Sequence, residues 1–401
     1  MKGWLKTELG AVASVSAGNS APQDPRLFVD GNFPFFRTSD VGRIRVGDIE
    51  AAVDNLNDEG VRGLRLFQKG TILFPKSGAS TFLNHRVMMA VDGYVSSHLA
   101  TIVSNPTYVD SRFLLYFLTT IRAQEMVQDH AYPSLNLPLI ASIKVPLPTI
   151  DEQRRIAATL DEAFEGIVTA KVNAEKNLKN ARELFESRRE ELFSRSKADW
   201  INRSLSDICD IKHGYAFEGE FFAASGDHVL LTPGNFFEAG GYRDRGEKQK
   251  YFIGPIPSGY ILKKDDLLLA MTEQAAGLLG SPLLVPESGR FLHNQRLGLV
   301  QPREGVAWSN EFFFHVFNLK RVRSEIHASA SGVKVRHTSP SKIGAVSVDF
   351  PVELKTQRRI ASSMIDFWEE CDRLAAIFES KLAALDELKK ALLHQAFTGQ
   401  L

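Results

Sequence analysis

Two sets of cationic and hydrogen-bonding side chains stand near turn-forming residues, one in each half of the chain. The first comprises Arg37, Arg43, Arg45, Lys76, Asn84, His85, Arg86 and His98. The second comprises Arg243, Arg245, Lys263, Lys264, Asn294, Gln295, Arg296, Lys334, Arg336 and His337. A guanidinium matches the two acceptors of guanine, a carboxamide matches adenine, and an ammonium neutralises phosphate. Such residues suit readout of a DNA groove better than bond-breaking chemistry. Any one of them alone reads as a solvated surface charge. Their recurrence in both halves is what makes them candidates.

Residues that could break bonds are not arranged to do so. The sequence has no GxxxxGK[ST] loop, no GxGxxG, no HExxH and no CxxC. Ser104-Asn105-Pro106-Thr107-Tyr108 partly matches the Asn-Pro-Pro-Tyr loop of amino-methyltransferases. It lacks the second proline, and no glycine-rich cofactor loop precedes it, so it reads as an Asn-Pro turn. Asp349, Glu353 and Lys355 are too closely spaced for a metal-nuclease triad and read as a solvated helix entry. The ten histidines form no i,i+4 ligand pair. The expectation is a chain with no catalytic residues, no metal and no cofactor of its own.

Composition narrows the class further. The 401 residues are 44% hydrophobic and 24% charged, as in folded globular proteins. Lys+Arg and Asp+Glu both number 48, so any nucleic-acid binding must come from local patches rather than bulk charge. No apolar run approaches the roughly 18 residues of a membrane span. The opening MKGWLKTELGAV has no uninterrupted apolar core of a secretory signal. Two cysteines, Cys209 and Cys371, cannot build a disulfide framework, which fits a reducing cytoplasm.

The elements that must position these side chains are written twice. WLKTELGAVASVSAG from Trp4 matches WINRSLSDICDIKHG from Trp200, and LFQKGTILFPKS (Leu66–Ser77) matches ILKKDDLLLAMT (Ile261–Thr272). VPLPTIDEQRRIA (Val145–Ala157) matches VDFPVELKTQRRIA (Val348–Ala361). Thr71–Phe74, Thr101–Val103 and Leu267–Ala270 read as strands, and Ser111–Gln128 reads as a core helix with its counterpart at Ser309–Ile326. The predicted plan is α+β, with two pseudo-repeated mixed α/β domains at 1–148 and 196–351. A long helix follows each, at 149–195 and 352–401.

Thr149-Ile-Asp-Glu152 carries a capping-box signature, with Glu152 placed to reach back to the N-cap amide; Lys355-Thr356-Gln357 lacks it. The first helix shows an alternating three–four seam: Ile156, Leu160, Ala163, Ile167, Ala170, Ala174, Asn177, Ala181, Leu184. The second repeats it: Ile360, Met364, Phe367, Cys371, Leu374, Phe378, Lys381, Leu385, Leu388, Leu392. Asn177 and Lys381 interrupt equivalent slots, as register-fixing polar residues do. About 40 helical residues span roughly 60 Å. Only six residues separate Phe193 from Trp200, so antiparallel pairing is predicted. It gives a coiled coil with a domain at each end, and Met1 near Leu401.

With these motifs in hand, the chain resembles specificity subunits of type I restriction-modification systems. The carrying residues are Trp4-x4-Leu9, the Pro148…Glu152-Gln153-Arg154-Arg155-Ile156 helix entry, a second copy of both, and the close LKKALLHQAFTGQL. The resemblance implies a non-catalytic DNA-recognition subunit with two target recognition domains, each reading half of a bipartite double-stranded DNA site. It implies that the helices set the unread spacer and dock two modification subunits, which carry S-adenosylmethionine. Restriction subunits using ATP with Mg would join them. Two alternatives remain at this point: a specificity component of another phage-defence methylation system, or a scaffold binding a protein at each end.

Overall fold

A computed structural model describes residues 4–127, 129, 131, 133–194, 199–274 and 276–401. The chain divides into two compact units, Met1–Glu175 with Ser380–Leu401, and Lys176–Glu379. Each unit therefore holds one mixed α/β domain and a stretch of both long helices.

In the first unit the main sheet runs, in order, Ala13–Ala17, Leu99–Ser104, Ile72–Pro75, Arg86–Met89 and Val46–Ile49. The central run Ile72-Leu73-Phe74 is apolar without interruption because the strand is covered on both faces. Alternate side chains of a strand point to opposite sides. Ile72 and Phe74 enter the core shared with the helix Ser111–Thr119, and Leu73 enters a second core with Phe36, Val41 and Val87. The second unit repeats the device. Leu267 and Leu269 face one core, and Leu268 and Ala270 face the other.

The strand registers repeat with the sequence. Leu5 pairs with Leu147 at the entrance to the first domain, and Ile201 pairs with Phe350 at the entrance to the second. Ala13 faces Ser104 as Cys209 faces Pro302. A parallel pair, Phe35 with Tyr94 and Val229 with Phe291, completes the correspondence. The predicted helix from Ser111 ends at Thr119, and Gln128 lies outside the described residues. Its counterpart breaks at Asn318-Leu319 into Asn310–Phe317 and Lys320–Ala328.

The long helices run Ile150–Ser194 and Leu354–Thr398. Each begins on a buried glutamine. Gln153 Nε2 donates to the carbonyls of Tyr108 (3.1 Å) and Pro148 (3.0 Å), while its Oε1 accepts from Asp110 N (2.9 Å). Gln357 makes the same three bonds, to Ala307 O, Pro351 O and Ser309 N, at 3.0, 2.9 and 2.9 Å. This amide, rather than a capping box, is the shared entry device. Thr149 Oγ1 accepts from Glu152 N at 3.4 Å, and the Glu152 carboxylate holds Arg155 in a two-pronged pair.

Within each unit the two long helices run antiparallel. In the first, Arg155 donates to Leu401 O and Lys171 pairs with Asp386. In the second, Arg182 pairs with Glu379, and Arg188 and Leu192 face Ser363 and Phe367. Each domain also receives a phenylalanine from the helix that does not follow it. Phe397 lies 5.3 Å from Phe113, and Phe193 lies 5.1 Å from Phe312. Met1 lies outside the described residues, but Trp4 sits against Gly399, where an added Cβ would meet its ring at 3.6 Å.

The predicted seam needs correction. Ile156, Leu160, Ile167, Ile360 and Met364 are buried, and Phe367, Leu374, Phe378 and Leu385 are half-buried, but Asn177, Leu184, Lys381 and Leu388 are exposed. Their neighbours Leu178, Phe185, Leu382 and Lys389 turn inward instead. A straight α-helix drifts about 20° per heptad from a strict seven-residue repeat. The inward stripe therefore slips by one residue at these four slots, while the predicted Ala174, Ala181 and Cys371 stay buried and Leu392 half-buried. Asn177 and Lys381 are solvated, not register-fixing.

Candidate nucleic-acid interface

The two domains present one turn built the same way. In the first, Leu99 N donates to Ser96 O (2.9 Å), Gly18 N to Leu99 O (3.1 Å), Ser97 N to Asn19 O (2.7 Å) and Lys76 N to His98 O (3.0 Å). In the second, Leu297 N donates to Asn294 O (3.0 Å), Gly214 N to Leu297 O (3.3 Å), Gln295 N to Tyr215 O (2.9 Å) and Met271 N to Arg296 O (3.0 Å). Glycine is required beside each turn. A Cβ on Gly18 would fall 2.3 Å from Ser96 O, and one on Gly214 would fall 2.1 Å from Asn294 O.

A third segment closes each junction. Leu135 N donates to Lys76 O (2.8 Å), as Thr338 N donates to Met271 O (2.9 Å). The structure thus brings Lys76 and His98 together in the first unit, and Asn294, Gln295, Arg296, Arg336 and His337 together in the second. His98, Gln295, Arg296 and His337 are exposed. His293 underlies the second turn. It is fully buried, its Nε2 lies 3.0 Å from Leu297 O, and burial pushes its pKa down to about 4, so it stays neutral and donates to that carbonyl.

Four of the sequence-picked side chains are committed to the structure itself. Arg86 is wholly buried, with its guanidinium 3.4 Å above the Phe74 ring and Nη1 donating to His85 O; burial lowers its pKa to about 9. It has no surface to offer a base. Asn84, in a left-handed conformation, accepts from Ala123 N and donates to Gln124. Asn294 is buried and accepts from Arg296 N inside the turn. Arg336 is a strut: it reaches Glu273 Oε1 at 3.2 Å and His327 O at 2.6 Å. Glu273 is itself buried, and its other oxygen accepts from the backbone amides of Gly277, Leu278 and Leu279.

The remaining candidates are not part of the turns, although Arg37 follows Phe36, whose carbonyl accepts from Ser96 N at 2.9 Å. Arg37 pairs with Asp54 and stacks over Phe28 and Phe35, and Arg43 pairs with the buried Asp40. Arg45 is exposed at a positive φ of 71° and its carbonyl accepts from Arg86 N. His85 is half-buried, and burial, then the charges of Arg45 and Arg86, lower its pKa. Arg243 is exposed near Phe237, and Arg245 covers Gly234. Lys263, Lys264 and Lys334 are exposed on loops. Asn105 makes the expected turn, accepting from Thr107 N and Tyr108 N. Asp349, predicted at a helix entry, is instead in the strand Ser347–Pro351, bonded to Asn202 and Arg321.

Two cations beside the turns escaped the sequence reading. Arg65 donates to Ser16 Oγ (3.0 Å) and its backbone is held by Asn19. Lys212, at the position equivalent to Ser16, lies 4.5 Å from the Tyr260 ring and donates to Gly259 O. The same place therefore carries one cation in each unit, supplied by a loop in one and a strand in the other. The repeat aligns Ser16 with Lys212, but only the Arg65–Ser16 hydrogen bond shows that Arg65 fills the same place. Among the described residues no group of His, Cys, Asp or Glu is placed to hold a metal ion, and no helix is long and apolar enough to cross a membrane. Both cysteines are free and buried.

A doubled mixed α/β domain, each copy followed by a long helix and each presenting the same turn, defines a class of protein built by internal repetition. The chain matches the family described as the type I restriction modification DNA specificity domain over residues 1–179 and again over 197–377, and it belongs to that family. It is 28% identical over 204 residues to the type I restriction enzyme EcoBI specificity subunit of Escherichia coli, covering 50% of this chain and 39% of that protein. It is 23% identical over 241 residues to the MjaIX specificity subunit of Methanocaldococcus jannaschii, covering 53% of each. The matched part thus spans about half or less of these two relatives. The MjaVIII specificity subunit of the same organism is 20% identical over 334 residues, 79% of this chain and 76% of that one. In fold, the chain is similar to a chain of a type I restriction-modification complex (TM-score 0.77, 17% identity, 100% and 99% of the two chains). It is also similar to the HsdS subunit of Thermoanaerobacter tengcongensis (TM-score 0.63, 17% identity, 100% and 98%).

Proposed function

We propose that this chain is the DNA-recognition subunit of a type I restriction-modification complex, each unit reading one half of a bipartite double-stranded site. The observation that carries this reading is the doubled specificity domain, in which one backbone frame presents different side chains: Ser97 and His98 in one unit, Gln295 and Arg296 in the other. A shared frame with unequal tips suits two readers of unequal half-sites. In this reading the chain is non-catalytic, works in the cytoplasm and carries no cofactor. The paired helices fix the unread spacer and dock two modification subunits. Those subunits carry S-adenosylmethionine, and restriction subunits carry ATP with Mg.

Recognition requires two kinds of contact. Arg65, Lys212, Lys263 and Lys264 supply positive charge for phosphates, which positions the protein without reading sequence. Exposed Gln and Arg side chains supply the directional bonds that tell bases apart. Equal numbers of acidic and basic residues, 48 each, leave the sequence-independent attraction weak, so partner subunits must supply much of it. The test is binding of the assembled complex to duplexes carrying both, one or neither half-site, across a salt series. Affinity should fall steeply with salt and require both halves. Equal affinity for duplexes with one half-site and with both would refute the reading.

A further inference from the structure

We propose that the turns Ser96–Leu99 and Asn294–Leu297 are the base-reading elements, with His98 determining specificity in one half-site and Gln295 and Arg296 in the other. This rests on the DNA-recognition reading above and assigns it to particular side chains.

The backbone of each turn is tied by four equivalent hydrogen bonds and pressed against a glycine that admits no side chain. The frame is therefore held fixed on two sides. What differs is the pair of side chains at the tip. Among the described residues no side-chain hydrogen bond or ion pair engages His98, Gln295 or Arg296, and all three are exposed. By contrast Asn84, Arg86, Asn294 and Arg336 are tied into the fold. A packing role would leave the tips bonded or buried. A presenting role leaves them free on a stiff support, so that little ordering is required on binding.

The chemistry of each tip then sets what it can read. Arg296 offers a planar fork matching the two acceptors of guanine, and Gln295 offers the donor–acceptor pair matching adenine. His98 offers a single bond, to a purine acceptor, and discriminates less. The Arg65 and Lys212 cations beside the turns are placed for the adjoining phosphates. In the second unit neutral His293 holds the turn from beneath, so the support does not depend on the charge of the reader.

The experiment expresses the full chain with its modification subunits in a host lacking other adenine methylation, then maps methylated sites by sequencing. Arg296→Ala should relax one base position in one half-site, lowering discrimination there about ten- to hundred-fold, and leave the other half unchanged. His98→Ala should relax a position in the other half only. Arg296→Lys keeps the charge without the fork and should relax the same position as Arg296→Ala, which covers a folding defect in either variant. Arg65→Ala and Lys212→Ala should weaken methylation at all sites without changing base preference. A specific wild-type complex whose turn variants keep both half-sites unchanged would overturn the assignment while leaving the recognition function intact. A wild-type complex with no bipartite preference would overturn both.

Discussion

His293 and His315 are held neutral in the interior of the second unit, their pKa values lowered by burial to about 4 and about 3. In the unfolded chain each titrates near 6.5. Between these values the unfolded state binds more protons, so stability falls as pH falls. The contribution is complete above about pH 6.5 and is lost on acidification toward the folded values. Each histidine adds up to about 1.4 kcal/mol per pH unit to that slope. Calorimetric unfolding from pH 7.5 to 5 should show the decline, and His315→Phe, which keeps the aromatic contact with Phe193, should flatten it; an unchanged slope would contradict it. The buried amides make a second prediction at this scale. Gln153→Ala strands Asp110 N and the carbonyls of Tyr108 and Pro148, at about 1–3 kcal/mol for each buried group left unpaired. Gln357→Ala should cost a similar amount, and denaturant unfolding of each variant reads both. The sequence showed the repeated Gln-Arg-Arg-Ile but not the reason for it, because two of each amide's three partners, one carbonyl and one N–H, lie more than 40 residues away in the chain.

At the scale of elements, the long helices were legible to within about three residues at each end: 149–195 was expected against Ile150–Ser194, with Arg195 outside the described residues, and 352–401 against Leu354–Thr398. Their bounds and antiparallel pairing follow from proline placement, apolar spacing and the short link between Phe193 and Trp200. The seam was legible except at Asn177, Leu184, Lys381 and Leu388, because a heptad template does not follow the drift of a straight helix. Ala174 is buried between the helices while Asn177 is exposed. Ala174→Leu should therefore overpack the pairing and cost about 1–3 kcal/mol. Asn177→Leu and Lys381→Leu should stay within about 0.5 kcal/mol of the parent. Thermal unfolding distinguishes the outcomes, and marked stabilisation by Asn177→Leu would return that residue to the seam. The turns were hidden for a different reason. Their frame is made of backbone bonds between segments such as Gly18 and Leu99, and residue type records nothing of that except the two glycines. Arg86 failed as a surface candidate because an arginine can be buried where an aromatic face and a carbonyl receive it.

At the scale of the molecule, two units share one plan and differ in the side chains they present. Each contains its own domain and receives a phenylalanine from the other repeat's helix. Exchange of residues 1–148 for those of another family member should then change one half-site and leave the other intact. A simultaneous change in both would mean that the units do not read independently. The most direct test is the map of methylated adenines produced by the assembled wild-type complex. The account predicts a single bipartite sequence whose two halves are unlike and are separated by unread bases of fixed number. One continuous motif, two identical halves, or methylation without sequence preference would contradict it.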